Sequence, residues 1–206
     1  VSLFVAMLMV YAGTVSPDAE VTRTGGVPLV PANFHWPTCA TCRRPMQFLA
    51  QLIRDDYPAL SIFMCGNDPG MCDEWEPDGG GNRALLFTGD ALRPAHVPAD
   101  GVPLLDEVSG VRWEMADEQD YDAARAQWEA AGGAVNDILG QVGGEPSWIQ
   151  GDETPTCPGC ERSMEFLVQW ETGHDPQTAI NFGDAGCGYA FACRACGEAR
   201  FLTQCS

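Results

Sequence analysis

Three Cys-x-x-Cys pairs, Cys39/Cys42, Cys157/Cys160 and Cys193/Cys196, constrain this chain more than any other feature. Such a turn aims two sulfurs at one point, so both reach a single Zn²⁺ at about 2.3 Å, and two pairs complete a tetrahedron with no open position. Thiolate donors favour zinc over harder cations. A wider pair, Cys65 and Cys72, has six residues between its members, and Cys187 and Cys205 stand alone. Ten cysteines in 206 residues are too sparse for a small disulfide scaffold and too many for an ordinary cytosolic enzyme.

An internal repeat tells which cysteines belong together. Residues 25–52 and 143–170 align without gaps at an offset of 118, with 12 of 28 positions identical. Their shared pattern is GGxP, then PTCxxC, then MxFLxQ. The segments that follow align at other offsets: Leu60–Cys65 with Gly188–Cys193, Cys72 with Cys196, and Arg83–Phe87 with Ala199–Thr203. The expected partition is therefore one zinc on Cys39, Cys42, Cys65 and Cys72, and a second on Cys157, Cys160, Cys193 and Cys196. Inert buried thiols are the expectation for Cys187 and Cys205. His35, four residues before Cys39, and Cys205 are the alternative ligands. Arg43, Arg44, Arg162 and Arg194 lie in or beside the knuckles, either offsetting thiolate charge or simply solvated.

Around the cysteines the pattern is mainly β. Met46, Phe48 and Ala50 alternate with polar residues, as do Met164, Phe166 and Val168, and each run is interrupted once, by Leu49 or Leu167. Ser61–Cys65 and Tyr189–Cys193 read as strands ending at a ligand. GGxP is turn chemistry, as are Asn67-Asp68-Pro69-Gly70 and Asp78–Asn82. Asp117–Ala131 predicts a helix, with Tyr121, Ala124 and Trp128 on one face and Gly132-Gly133 as its stop; Val135–Gln141 predicts one further short turn or helix. The expected class is α+β, mainly β: a first repeat over 1–110, a helical connector over 111–142, and a second repeat over 143–206.

Gly25-Gly26-x-Pro28, Met46-x-Phe48-Leu49-Ala50-Gln51, Gly144-x-Pro146-x-Trp148-x-Gln150 and Asn181-Phe182-Gly183-Asp184 leading to Tyr189-x-Phe191 occur in an order that resembles the YwqG-like family of bacterial proteins. That family is related to eukaryotic programmed cell death protein 2 and its yeast counterpart in ribosome assembly. The resemblance implies a duplicated β-rich α+β fold. For the eukaryotic relatives it implies a dedicated chaperone role toward a basic ribosomal protein, and for some bacterial ones an immunity or adaptor role in toxin systems. It carries over no catalytic residues.

Eleven basic residues, all Arg, face 29 acidic ones for a formal charge of −18. That balance repels phosphate backbones and argues against direct nucleic-acid binding, while suiting a basic protein client. The opening run Leu3–Val10 is too short to span a bilayer, and no cation precedes it; the first is Arg23. A buried strand accounts for it, against the rival reading of a secreted protein with five disulfides. A redox Cys-x-x-Cys of thioredoxin type normally comes singly. The chain has three histidines, His35, His96 and His174, none in a recognised catalytic spacing, and no Lys for a phosphate loop. The carboxylates of Asp73-Glu74-x-Glu76 and Asp117-Glu118 read as solvated charge runs. The expected protein is a cytoplasmic, monomeric, non-catalytic zinc-stabilised module that binds a basic protein client. The alternatives are an immunity protein and a metal-dependent enzyme, whose site would centre on His35.

Overall fold

The computed structural model describes residues 6–55, 57–88, 91–115, 120–175 and 177–206. Its strands are β1 (Met7–Thr14), β2 (Arg23–Thr24), β3 (Leu29–Val30), β4 (Gln47–Arg54), β5 (Tyr57–Met64), β6 (Asn82–Phe87), β7 (Arg93–Pro94), β8 (Ser109–Met115), β9 (Ile138–Val142), β10 (Glu165–Trp170), β11 (Cys187–Cys193) and β12 (Glu198–Gln204). One helix, α1 (Tyr121–Ala130), is described between β8 and β9. β3 and β7 form a separate pair, and the other ten strands make one antiparallel sheet ordered β12-β11-β10-β9-β1-β8-β2-β4-β5-β6.

That order is a palindrome about β1 and β8. β1 leads into β2 but pairs with β9, and β8 leads into β9 but pairs with β2. Each half of the chain thus lays its opening strand against the other half. One large buried cluster draws on both halves, with Met9, Leu49, Leu60, Ile62, Leu139, Val168, Trp170 and Phe201 packed together. The span 111–142 holds most of β8 and all of β9 as well as the helix. Among the described residues no helix is long and apolar enough to cross a membrane.

Hydrogen bonds recur at the offset seen in the sequence. Gly25 N donates to Leu49 O and Gly143 N to Leu167 O; Met46 N donates to Pro37 O and Met164 N to Pro155 O. Leu49 and Leu167 sit where the register of β4 on β5, and of β10 on β11, shifts by one residue. A bulge places one extra residue in the strand, which is why the alternation breaks there. Gly25 and Gly143 both have φ of 68°. A Cβ at Gly25 would strike the carbonyl of Glu107, so the turn requires glycine.

Three expectations need adjustment. Phe63 pairs with Arg83 and Phe191 with Arg200, so the counterpart of Arg83 is Arg200 and not Ala199. A one-residue slip exchanges the faces of a strand, and β12 follows the pairing that buries Phe201 and Ala199. After a 3-10 turn at Val135–Asp137, residues 138–142 continue as strand β9 instead of helix. All five are buried, and burial on both faces erases the alternation that marks a strand. The helix begins at Asp120, whose carboxylate caps Ala123 N at 2.9 Å, and it packs Tyr121, Ala124 and Trp128 on Leu8, Val10 and Ile138. Residues 117–119 of the expected helix, and the Asp117-Glu118 pair, lie outside the described residues.

Arg23 is fully buried, and its guanidinium donates to Gly25 O and Val27 O at 2.5 Å each and to Ala19 O at 3.2 Å. Burial depresses its pKa to about 10. At the equivalent position Gln141 donates to Glu145 O at 2.9 Å, so the two turns are tied by different side chains. Arg23→Ala would orphan buried carbonyls at about 1–1.5 kcal/mol each, so a loss of about 2–4 kcal/mol is expected in urea unfolding. Arg23→Gln, which imitates the second half, should recover part of that loss.

Candidate metal centres

The two knuckles at the start of each unit fold alike. Cys39 N donates to Arg44 O at 3.0 Å while Cys39 O accepts from Arg43 N at 3.0 Å; Cys157 makes the same pair with Arg162 and Glu161 at 2.8 Å each. The turn demands a left-handed residue, supplied by Arg43 (φ 62°) and Glu161 (φ 57°). Cys65 follows β5 directly and Cys193 ends β11, so paired strands deliver these sulfurs to the knuckles. Cys196 completes the second group from a turn in which Cys196 N and Gly197 N donate to Cys193 O.

Cys39, Cys42, Cys65 and Cys72 form one group, and Cys157, Cys160, Cys193 and Cys196 another. Within each, all four sulfurs lie within 4.8 Å of one another. The Sγ–Sγ distances Cys42–Cys65 and Cys160–Cys193 are 3.6 and 3.7 Å. A tetrahedron with metal–sulfur bonds of about 2.3 Å has edges of about 3.8 Å, so both donor sets fit a four-coordinate ion. None of the ten cysteines is joined in a disulfide. His35 is exposed and belongs to neither group; Cys205 is half-buried and also outside them. Cys187 is buried and donates to Glu171 at 3.4 Å.

The two sites differ in shelter. Cys39, Cys65 and Cys72 are at most 1% exposed, beneath Phe34, Trp36, Phe48 and Phe63, whereas Cys196 is exposed. The second site still has aromatic cover from Trp148, Phe166 and Phe191. Its charge control is also external: Arg162 Nε lies 3.5 Å from Cys160 Sγ, and that hydrogen bond holds the thiol down at about 6. At the first site Asn67 Nδ2 donates to Cys65 Sγ at 3.6 Å and to Pro45 O at 2.9 Å, but burial outweighs it and pushes the Cys65 thiol up. Arg44 pairs with Asp100, and Arg194 lies over the Tyr57 ring and against Glu165.

Glu74 corrects the solvated charge run. It is 8% exposed, and its carboxylate accepts from the backbone of Gly70 and of Cys72 (3.1 Å), shaping the loop that presents Cys72. Asn82 then donates to the carbonyls of Glu74 and Glu76 at 2.9 Å each. Neither role was visible in the sequence, where acidic residues beside glycines read as surface. The same loop reaches the far end of the sheet: Thr203 N donates to Trp75 O at 3.1 Å, and Arg200 meets Asp78 at 2.9 Å. It bridges the seam between β6 and β12 and leaves the sheet nearly closed.

No family model matches the chain. A stretch of 58 residues is 38% identical to the uncharacterized protein YpfL of Salmonella typhimurium, covering 27% of this chain and 12% of that protein. The match thus spans a small part of either sequence.

Two outcomes follow from this geometry. Cys160→Ser should lower Tm by ~10 °C or more if the group holds a metal, because binding free energy at such a site is folding free energy. Cys187→Ser should cost about 1 kcal/mol or less, since a hydroxyl can donate to Glu171 in the thiol's place; equal shifts in a thermal melt would refute this division of the cysteines. Cys72→Ser should loosen the seam as well as its own site, seen as faster amide exchange at Thr203.

Proposed function

We propose that the protein is a non-catalytic interaction module whose two four-cysteine groups each hold a structural Zn²⁺ and whose acidic surface receives a basic protein client. The observation that carries this reading is the donor count: four sulfurs per group saturate a tetrahedral ion and leave no position for substrate. Eight thiolates against two dications take the formal charge from −18 to −22. Described arginines such as Arg44, Arg112, Arg194 and Arg200 already face carboxylates of the same chain, so the acidic excess is what a partner meets. The sequence resemblance to the YwqG-like family and its chaperone relatives supports the same reading. Zinc held by thiolates that are not joined in disulfides suits a reducing compartment, which supports a cytoplasmic site of action; we take the protein to act as a monomer.

Affinity capture from the native cells at increasing salt tests the proposal. Charged contacts beyond about 8 Å are screened at physiological ionic strength, so recovery of a basic client should fall steeply as salt rises. A complex indifferent to half-molar salt would overturn the electrostatic part. Capture of one tight toxin partner would favour an immunity role, and metal analysis finding no zinc would remove the scaffold.

A further inference from the structure

A cleft of about 500 Å³ lies between α1, the 3-10 turn and the segment after β10, and a second of about 320 Å³ adjoins it. They share Arg125, Glu171, Thr172 and Ala185. None of these is a cysteine of the metal groups. The volumes are those of small-molecule sites. The walls are polar, with the Asn136 and Asn181 amides and the Thr172 side chain on the larger side.

Charged groups converge on the shared wall. Glu171 Oε1 accepts from the buried Tyr121 hydroxyl at 2.7 Å and lies 3.5 Å from Arg125 Nη1, while Oε2 accepts from the Cys187 thiol. Burial and the adjacent carboxylate push the Cys187 thiol up to about 12, so it stays a neutral donor. Asp122, on α1, lines the second cleft and accepts from Ser147 Oγ at 3.2 Å. One guanidinium is thus paired with Glu171, and the exposed carboxylate of Asp122 lines the same cleft. Keeping the Arg125–Glu171 pair partly buried is costly, and a charge pair held in a cleft is a candidate functional site. Arg125 carries five donors in a planar fork, of which Glu171 engages one edge, so a ligand carboxylate can take another. A simple anion placed there meets Asp122 and Glu171; a simple cation meets Arg125. A molecule bearing both signs satisfies all three.

We propose that this double cleft binds a small zwitterion of the α-amino acid class, its carboxylate on Arg125 and its ammonium toward Asp122 and Glu171. The site is separate from the zinc groups and independent of the client-binding reading. Polar atoms along the larger cleft then favour amino acids with amide or hydroxyl side chains.

The test uses the full metal-loaded chain and the twenty amino acids singly at millimolar concentration, read by thermal shift and calorimetry. At least one should bind, and its deaminated acid and decarboxylated amine should bind at least about tenfold more weakly, because each loses one charged contact. Arg125→Gln and Asp122→Asn should each weaken binding by a similar factor with two metal ions per chain retained. Arg125→Lys, which keeps the charge without the fork, provides a folded control and should recover only part of the affinity. No binding by any of the twenty, equal binding by either truncated analogue, or undiminished binding by Arg125→Gln or Asp122→Asn overturns the proposal.

Discussion

Four sulfurs held within 4.8 Å of one another are the constraint on which this structure turns. As thiolates they repel strongly in a poorly solvated setting, so the cluster is stable only around a cation or with most of its protons kept. A dication held there would resolve the repulsion and in doing so join a knuckle to the end of a strand pair. Each cluster therefore fixes the spacing of strands whose aromatic residues cover it: Phe48 against Phe63 in one, Phe166 against Phe191 in the other. The opposite face of those strands supplies the common core. Cysteine cluster and core are two sides of the same sheet.

The exchange of β1 and β8 across the centre gives the molecule its unity. Neither half has a complete sheet of its own, because each lacks the strand that the other provides. The Cys72 loop adds a second link at the far edges, where Trp75 and Asp78 meet β12. A perturbation at the first cluster thus reaches the second unit through a hydrogen bond and an ion pair.

The two halves reach the same geometry with partly different chemistry. Gln51 and Gln169 do equivalent work, accepting from the backbone of Leu29 and Ser147 at 2.9 and 3.0 Å. Arg23 and Gln141 secure equivalent turns although one is charged and the other neutral. One cluster is sheltered and braced by Asn67, and the other is open and steadied by Arg162. Likeness of backbone coexists here with asymmetry of exposure, and the asymmetry is what can make the sites behave differently.

The grouping of the cysteines, the glycine turns, the single break in each strand's alternation and the helical face were legible from residue order alone, because each depends on near neighbours or on a pattern written twice. Cys-x-x-Cys spacing and the offset of 118 are local or repeated signals. The burial of Glu74, the continuation of β9 as strand, the register of β12 and the strand exchange were decided only in three dimensions. Each depends on which distant segment lies alongside, and pairing energy in a sheet comes from cross-strand neighbours that a single strand does not encode. Arg125, Asp122 and Glu171, spread over 50 residues, line one cleft for the same reason: folding packs α1 on β1 and β9, beside the residue that follows β10.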